Sequence, residues 1–178
     1  MAISDTKKVA LVAGGSGIVG HSLAMELQRQ GWSVRALARR PVKGLDTITV
    51  DLTDRHATAT ALEVANNTTH LFYAALSQDA NLTIEAECNG QMLGNILDGL
   101  AAVEAPLQRI VSYEGFKIYG IHLGARVRTP ARETDPPDMP PNIYLSQREQ
   151  LKARASKGKW DNVALIPDVV VGDTSAIQ

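Results

Sequence analysis

The sequence predicts an open, doubly wound α/β fold: a parallel sheet with helices on both of its faces. Three observations carry that expectation. Short apolar runs of strand length alternate with stretches whose apolar residues return every three or four positions. The first run, Val-Ala-Leu-Val-Ala from Val9 to Ala13, has no polar break, as a strand covered on both faces requires. Directly after it stands Gly14-Gly15-Ser16-Gly17-Ile18-Val19-Gly20, a glycine cluster that opens a helical stretch. Alternating strand and helix implies right-handed crossovers, hence one parallel sheet. At 178 residues the chain is read as a single domain over 1–178.

The remaining elements follow in order. A helix is expected from Ile18 to Gln30, with Gly31 just past its end. Ser33 to Ala38 and Thr47 to Leu52 read as the second and third strands. Asp54 is placed to cap a short helix over Ala57 to Ala65, because its carboxylate can accept from orphan N–H groups. His70 to Leu76 is the fourth strand. A long helix runs from Leu82 to Val103, with Met92, Leu93, Ile96, Leu97 and Leu100 as its core stripe, and Pro106 stops it. Arg109 to Tyr113 is the fifth strand. Glu114 to Pro141 shows no period and holds five prolines, so it reads as a long loop, a length usually tied to function. A helix from Ile143 to Ser156 and a last strand from Val163 to Ile166 complete the chain.

Composition narrows the function classes. The net charge of −1 gives no basic field for nucleic acid. No apolar run approaches the roughly 18 residues of a membrane span. Met1 to Lys8 lacks the apolar core of a signal peptide. Cys88, the single cysteine, has no internal disulfide partner and reads as a small buried hydrophobe. A reducing cytoplasm fits these features. The expected partner is a small molecule, with a homodimer as a possible assembly.

The glycine cluster gives the first functional signal. Between a buried strand and a helix, Gly14 permits the tight turn, Gly17 lets backbone approach a pyrophosphate, and Gly20 lets helix and strand pack closely. Ser16 and Ile18 stand in the same turn, whose N–H groups and helix dipole attract phosphate. The bland alternative is a glycine-rich turn without a ligand. In this Rossmann-type setting, the end of the second strand decides the dinucleotide. An acidic residue there would select NAD. Ala38-Arg39-Arg40-Pro41 instead offers two guanidiniums, suited by charge and planar donors to the 2′-phosphate of NADPH/NADP. A solvated basic pair is the alternative. Asp51 and Leu52, ending the third strand, would flank the adenine, unless Asp51 is an ordinary strand-end cap. Ala75, ending the fourth strand, joins the expected cofactor residues. No metal site is expected.

Two Tyr/Lys pairs compete for catalysis. Tyr113-Glu-Gly-Phe-Lys117 has the Tyr-x-x-x-Lys spacing that places both side chains on one helix face. Tyr113 ends a strand and Gly115 follows, so the helix is missing. The other pair is Lys117, at the carboxyl end of the fifth strand, with Tyr144, which opens the next helix. A surface lysine and a packing tyrosine are the plain alternative.

Lys117-Ile-Tyr-Gly-Ile-His-Leu-Gly124, then Thr129-Pro130, Glu133, Pro136-Pro137 and Met139-Pro140-Pro141-Asn142-Ile143-Tyr144, resembles the progesterone 5β-reductase/iridoid synthase-like family. The glycine turn, Ala38-Arg39-Arg40-Pro41 and the helix over Asn89 to Asn95 fit the same pattern. These are atypical short-chain dehydrogenases/reductases that use NADPH to reduce the carbon–carbon double bond of activated enones. The resemblance implies Lys117 and Tyr144 as the catalytic pair, Arg39 and Arg40 on the 2′-phosphate, and Pro167 and Val169 near the nicotinamide amide. It also implies a longer protein, so the chain reads as a fragment or a truncated form lacking much of the substrate cover. Ile143, Leu145, Ser146 and Ile166 depart from the family's residues at those positions, the last replacing an arginine. His122 is a pocket candidate or a merely exposed loop residue. Two other functions stay open: a non-catalytic NADP(H)-binding sensor, and a nucleotide-sugar epimerase or dehydratase relying on Tyr113 and Lys117.

Overall fold

The computed structural model describes residues 8–136 and 140–172; the segment 1–7, and Pro137 and Met139 of the proline block, lie outside the described residues. Among the described residues six strands form one sheet: β1 (Val9–Ala13), β2 (Ser33–Ala38), β3 (Asp46–Thr49), β4 (His70–Tyr73), β5 (Arg109–Tyr113) and β6 (Asp161–Leu165). Their spatial order is β3-β2-β1-β4-β5-β6, with every ladder parallel. The chain thus builds outward from β1 to β3, crosses back beside β1, and builds outward the other way. The reversal between β1 and β4 leaves a crevice at the strands' carboxyl ends, where open α/β sheets bind ligands.

The α-helices of the described residues that cover the sheet are α1 (Ile18–Arg29), α2 (Arg55–Ala61), α3 (Leu82–Ala102) and α4 (Ile143–Ala155). Strand side chains alternate between faces, so each face has its own core. On one, α1 contributes Ala24 and Leu27 against Ala10, Val12, Val34 and Phe72. On the other, the α3 stripe of Met92, Leu93, Ile96, Leu97 and Leu100 meets Leu11, Leu37, Leu71 and Ile110, with Leu151 of α4. That stripe is the one its spacing announced.

Several boundaries differ from the sequence expectation for one reason: a parallel strand ends where its neighbour turns away. β3 stops at Thr49, not Leu52, because β2 stops at Ala38, the partner of Thr49. Asp51 and Leu52 therefore stand in the turn after the strand. β4 stops at Tyr73, not Leu76, because β1 gives way to the glycine turn after Ala13, so Ala75 follows the strand. β6 begins at Asp161, not Val163, and ends at Leu165; Arg109 pairs with Asp161 through the ladder and through a 2.7 Å guanidinium–carboxylate contact. Asp54 does accept from the Ala57 N–H at 2.9 Å, but α2 already starts at Arg55 and finishes as a 3-10 turn over Leu62–Ala65. The long loop carries two further 3-10 turns, Phe116–Tyr119 and Ile121–Leu123. Cys88 is half-buried rather than fully buried. No helix among the described residues is long and apolar enough to cross a membrane.

Candidate functional site

Gly14, Gly15 and Gly20 after β1 are all required by packing; on Gly15 an added Cβ would meet the Ala36 Cβ at 2.5 Å. Gly14 has φ +80°, and a Cβ there would sit 2.6 Å from the Ala74 carbonyl oxygen. A Cβ on Gly20 would lie 2.2 Å from the Gly14 carbonyl oxygen, so α1 can approach β1 only with glycine at this point. The turn is fastened to β2, because the Gly14 and Gly15 N–H groups both donate to the Leu37 carbonyl, at 3.1 and 3.2 Å. Gly17 differs: a Cβ there would meet only the Gly14 carbonyl oxygen, at 3.4 Å. Its bareness leaves space in front of α1. That helix also has no side-chain cap, whereas α2, α3 and α4 are capped by Asp54, Asn81 and Asn142. The first-turn N–H groups of α1 are left for another acceptor, which is the chemistry a diphosphate needs.

Gly14, Ser16, Gly17, Arg39, Asp51, Leu52 and Ala75 line one cleft of about 570 Å³ in the crevice between β1 and β4. Thr53 and Gln78 line it too, with no sequence signal to mark them, and so does Met92, which the sequence places in the core stripe of its helix. Asp51 accepts from the Thr53 N–H at 3.0 Å and from the Thr53 hydroxyl at 2.8 Å. Those bonds, backbone first, hold its carboxyl below the usual range, and the Arg39 charge adds to them. Arg40 is exposed beside Arg39 and is not part of the lining. Ile18 opens α1 with its side chain against Gly172, where an added Cβ would lie 2.7 Å away. Pro167 and Val169 follow β6 outside this lining, Val169 at 80% exposure. Ile166 is half-buried.

Lys117 and Tyr144 converge through backbone. Asn142 is buried at the N-terminus of α4. Its Oδ1 accepts from the N–H groups of Tyr144 (3.1 Å) and Leu145 (3.4 Å), while its Nδ2 donates to the carbonyls of Lys117 (2.9 Å) and Ile118 (3.3 Å). One amide thus ties the turn bearing Lys117 to the helix bearing Tyr144. The Tyr144 hydroxyl lies against Gly115, 3.2 Å from where a Cβ would stand. Burial pushes its pKa up, and the charges of Glu114 and Glu85 push the same way, against a backbone hydrogen bond from Gly115. Glu114 is sealed, its side chain 1% exposed, and its carboxylate accepts from Arg148 at 2.7 Å. Burial raises its pKa, opposed by Arg148. Arg148 stands one helical turn after Tyr144, so this pair fixes the rotation of α4 over Gly115. Lys117 pairs with Glu85 of α3, Nζ to Oε2 at 3.9 Å.

The competing tyrosine goes elsewhere. Tyr113 ends β5 with its ring packed on the α1-side cluster, and burial raises its pKa. Lys117 itself pairs with Glu85 of α3, which packs on the opposite face of the sheet from the Tyr113 ring. His122 is half-buried within its 3-10 turn. Glu85, Glu114 and Arg148 were not marked in the sequence, and Asn142 was not marked for the contacts it makes here. Only Asn142 had a legible signal, a cap residue directly before a helix.

A match to a family model over residues 10–174 adds to this geometry. The chain belongs to the NAD dependent epimerase/dehydratase family. Within it, the curated relatives of this epimerase/dehydratase-family chain include the Arabidopsis thaliana 3-oxo-Delta(4,5)-steroid 5-beta-reductase, 31% identical over 82% of the chain and 41% of that protein. The Camptotheca acuminata (S)-8-oxocitronellyl enol synthase is 33% identical over 86% of the chain and 43% of that protein. The resemblance to progesterone 5β-reductase and iridoid synthase therefore holds, and the chain spans less than half the length of these relatives. Solved structures share the fold. An Agrobacterium tumefaciens short-chain dehydrogenase/reductase superfamily protein with bound NAD matches with TM-score 0.72 and 22% identity, over 89% of this chain and 48% of that one. Thermus thermophilus UDP-glucose 4-epimerase in complex with NAD matches with TM-score 0.72 and 21% identity, over 89% and 54%.

Proposed function

We propose that the protein is an NADPH-dependent reductase of carbon–carbon double bonds conjugated to a carbonyl. The observation that carries this reading is the joining of Lys117 and Tyr144 through Asn142, beside a glycine turn whose uncapped helix faces a cleft. The names of the steroid reductase and enol synthase relatives agree with it. The cleft fits a dinucleotide: first-turn amides of α1 for the diphosphate, Arg39 of the lining with the exposed Arg40 next to it for the ribose phosphate, and Asp51 and Leu52 beside the adenine. When bound, the nicotinamide supplies a hydride to the enone's β-carbon. Tyr144 donates its hydroxyl proton in a hydrogen bond to the substrate carbonyl oxygen, where negative charge grows. The burial and carboxylates that raise its pKa keep it a neutral donor well into alkaline pH. Lys117 adds a positive charge near the same oxygen, and a preplaced donor of this kind is worth about 3 kcal/mol.

Steady-state NADPH oxidation with a panel of small enones tests the reaction, and calorimetry tests the cofactor. Tyr144→Phe should lower kcat about a hundredfold, while Tyr113→Phe should leave it unchanged. Arg39→Ala should weaken NADPH binding about tenfold and leave NADH nearly untouched. A protein that ignores NADPH, or prefers NADH, overturns the reading. An epimerase or dehydratase reading predicts the reverse order for the two tyrosines.

A further inference from the structure

Glu85 stands in the first turn of α3, where an acidic residue suits the helix dipole but has no need to be buried. Yet its side chain is 4% exposed, and among the described residues its ion pair is with Lys117. A carboxylate taken out of water costs free energy unless a counter-charge meets it, so its burial here requires the Lys117 ammonium. Both side chains border a hollow of about 380 Å³ with Gln78 and Asp79. Gln78 also lines the cofactor cleft, so the ion pair faces the space next to that cleft.

We propose that Glu85 is a positioning residue for the reductase site: its buried carboxylate holds the Lys117 ammonium beside the Tyr144 hydroxyl. This rests on the Lys117/Tyr144 reading above. Asn142 anchors only the backbone of residue 117, and a lysine has four rotatable bonds beyond it, so the backbone tie alone leaves the ammonium free to swing. Glu85, on another element, supplies the missing constraint. Among the described residues the charged groups that act on Tyr144 are Glu85 from α3 and Glu114, which is paired with Arg148 of α4; Lys117 from the 3-10 turn meets Glu85, with Asp79 at the rim of the hollow.

The experiment compares wild type, E85Q and E85D in NADPH oxidation with a small enone, with E87Q as a control for an exposed carboxylate on the same helix. E85Q should lower kcat about tenfold while leaving the KM for NADPH within about twofold, a split that marks lost transition-state contacts. Its alkaline limb should move to lower pH, because a negative charge that raises Tyr144 is gone, and the fall should be larger when E85Q is made in K117M, where no ammonium is released with it. E85D should recover part of kcat, and E87Q should match wild type. Should E85Q fail to fold, E85D must show the same split in milder form. Ultraviolet difference titration of tyrosinate, with Y144F as the blank, reads Tyr144 without turnover: its midpoint should fall in E85Q. Unchanged kcat, pH limb and midpoint overturn the proposal. A wild type without turnover removes the reductase reading, and the titration then decides the placement of Glu85 separately.

Discussion

β1 and β6 are both parallel strands of five residues with complete ladders, yet they live in different surroundings. Every residue of β1 is buried, with β2 and β4 beside it, α1 on one face and α3 on the other. β6 is an edge strand with four of its five residues exposed. Val163 and Leu165, registered with Val111 and Tyr113, extend the α1-side face of the sheet, and among the described residues nothing buries them. The difference teaches that hydrogen-bonded pairing alone does not make a strand part of a core; cover on both faces does. It also divides the site. The glycine turn sits on the covered strand, where close packing and hydrogen bonds to β2 hold its backbone. Lys117 and Tyr144 sit near the less covered side, where caps and ion pairs do the positioning.

The strongest way to break the comparison is at Gly20. Gly20→Val would press side-chain carbons into the Gly14 carbonyl with nothing soft to yield, and we expect a loss of more than roughly 3 kcal/mol by urea unfolding, together with NADPH binding. A near-native midpoint would show that the turn is more pliable than its packing implies. Next comes a matched pair: Leu71→Ala in β4, fully buried, should cost about 3 kcal/mol, whereas Leu165→Ala in β6, 42% exposed, should stay within about 0.5 kcal/mol. Equal costs would mean that something covers β6 in solution.

Arg148→Ala should cost about 2 kcal/mol, because it leaves the buried Glu114 carboxylate unpaired while Arg148 itself is partly exposed. It should lower kcat as well, since α4 would be free to turn Tyr144 off Gly115. A stability loss without a rate loss would confine the pair to folding. The smallest effect concerns acid. His70 packs edge-on against Trp32 at 4.9 Å, and burial, then the charges of Arg109 and Lys8, hold its pKa below the ordinary 6.5. Between the lowered folded value and 6.5 the unfolded chain binds more protons, so stability falls as pH drops below about 6.5. His70→Gln should flatten that limb in thermal melts taken from about pH 7 to about pH 5.

Some of this was legible residue by residue. The unbroken apolar run over 9–13 announced a central strand, and the period of Met92, Leu93, Ile96, Leu97 and Leu100 announced the buried face of α3, because periodicity records burial directly. The strand ends at Thr49 and Tyr73 were not legible, since each is decided by where a neighbour turns. Of the expected cofactor residues, Gly14, Ser16, Gly17, Arg39, Asp51, Leu52 and Ala75 share a cleft because all stand at the carboxyl ends of β1, β2, β3 and β4. Ile18, Gly20, Arg40, Pro167 and Val169 stand outside that lining, which motif matching misses because it cannot tell which way a residue faces from a turn or a strand end.

By itself the sequence determined the parallel sheet, the glycine turn and the basic strand end, because periodicity, glycine spacing and charge type act over a few neighbouring residues. Only the tertiary structure decided where the two tyrosines lie relative to the turn that bears Lys117. Tyr113 is four residues away along the chain, but strand alternation sends its ring to the α1 face; Tyr144 is far away in sequence, but the Asn142 amide and the Glu114–Arg148 pair bring it back. Proximity along the chain says nothing about the face of a sheet until the strands on either side are in place.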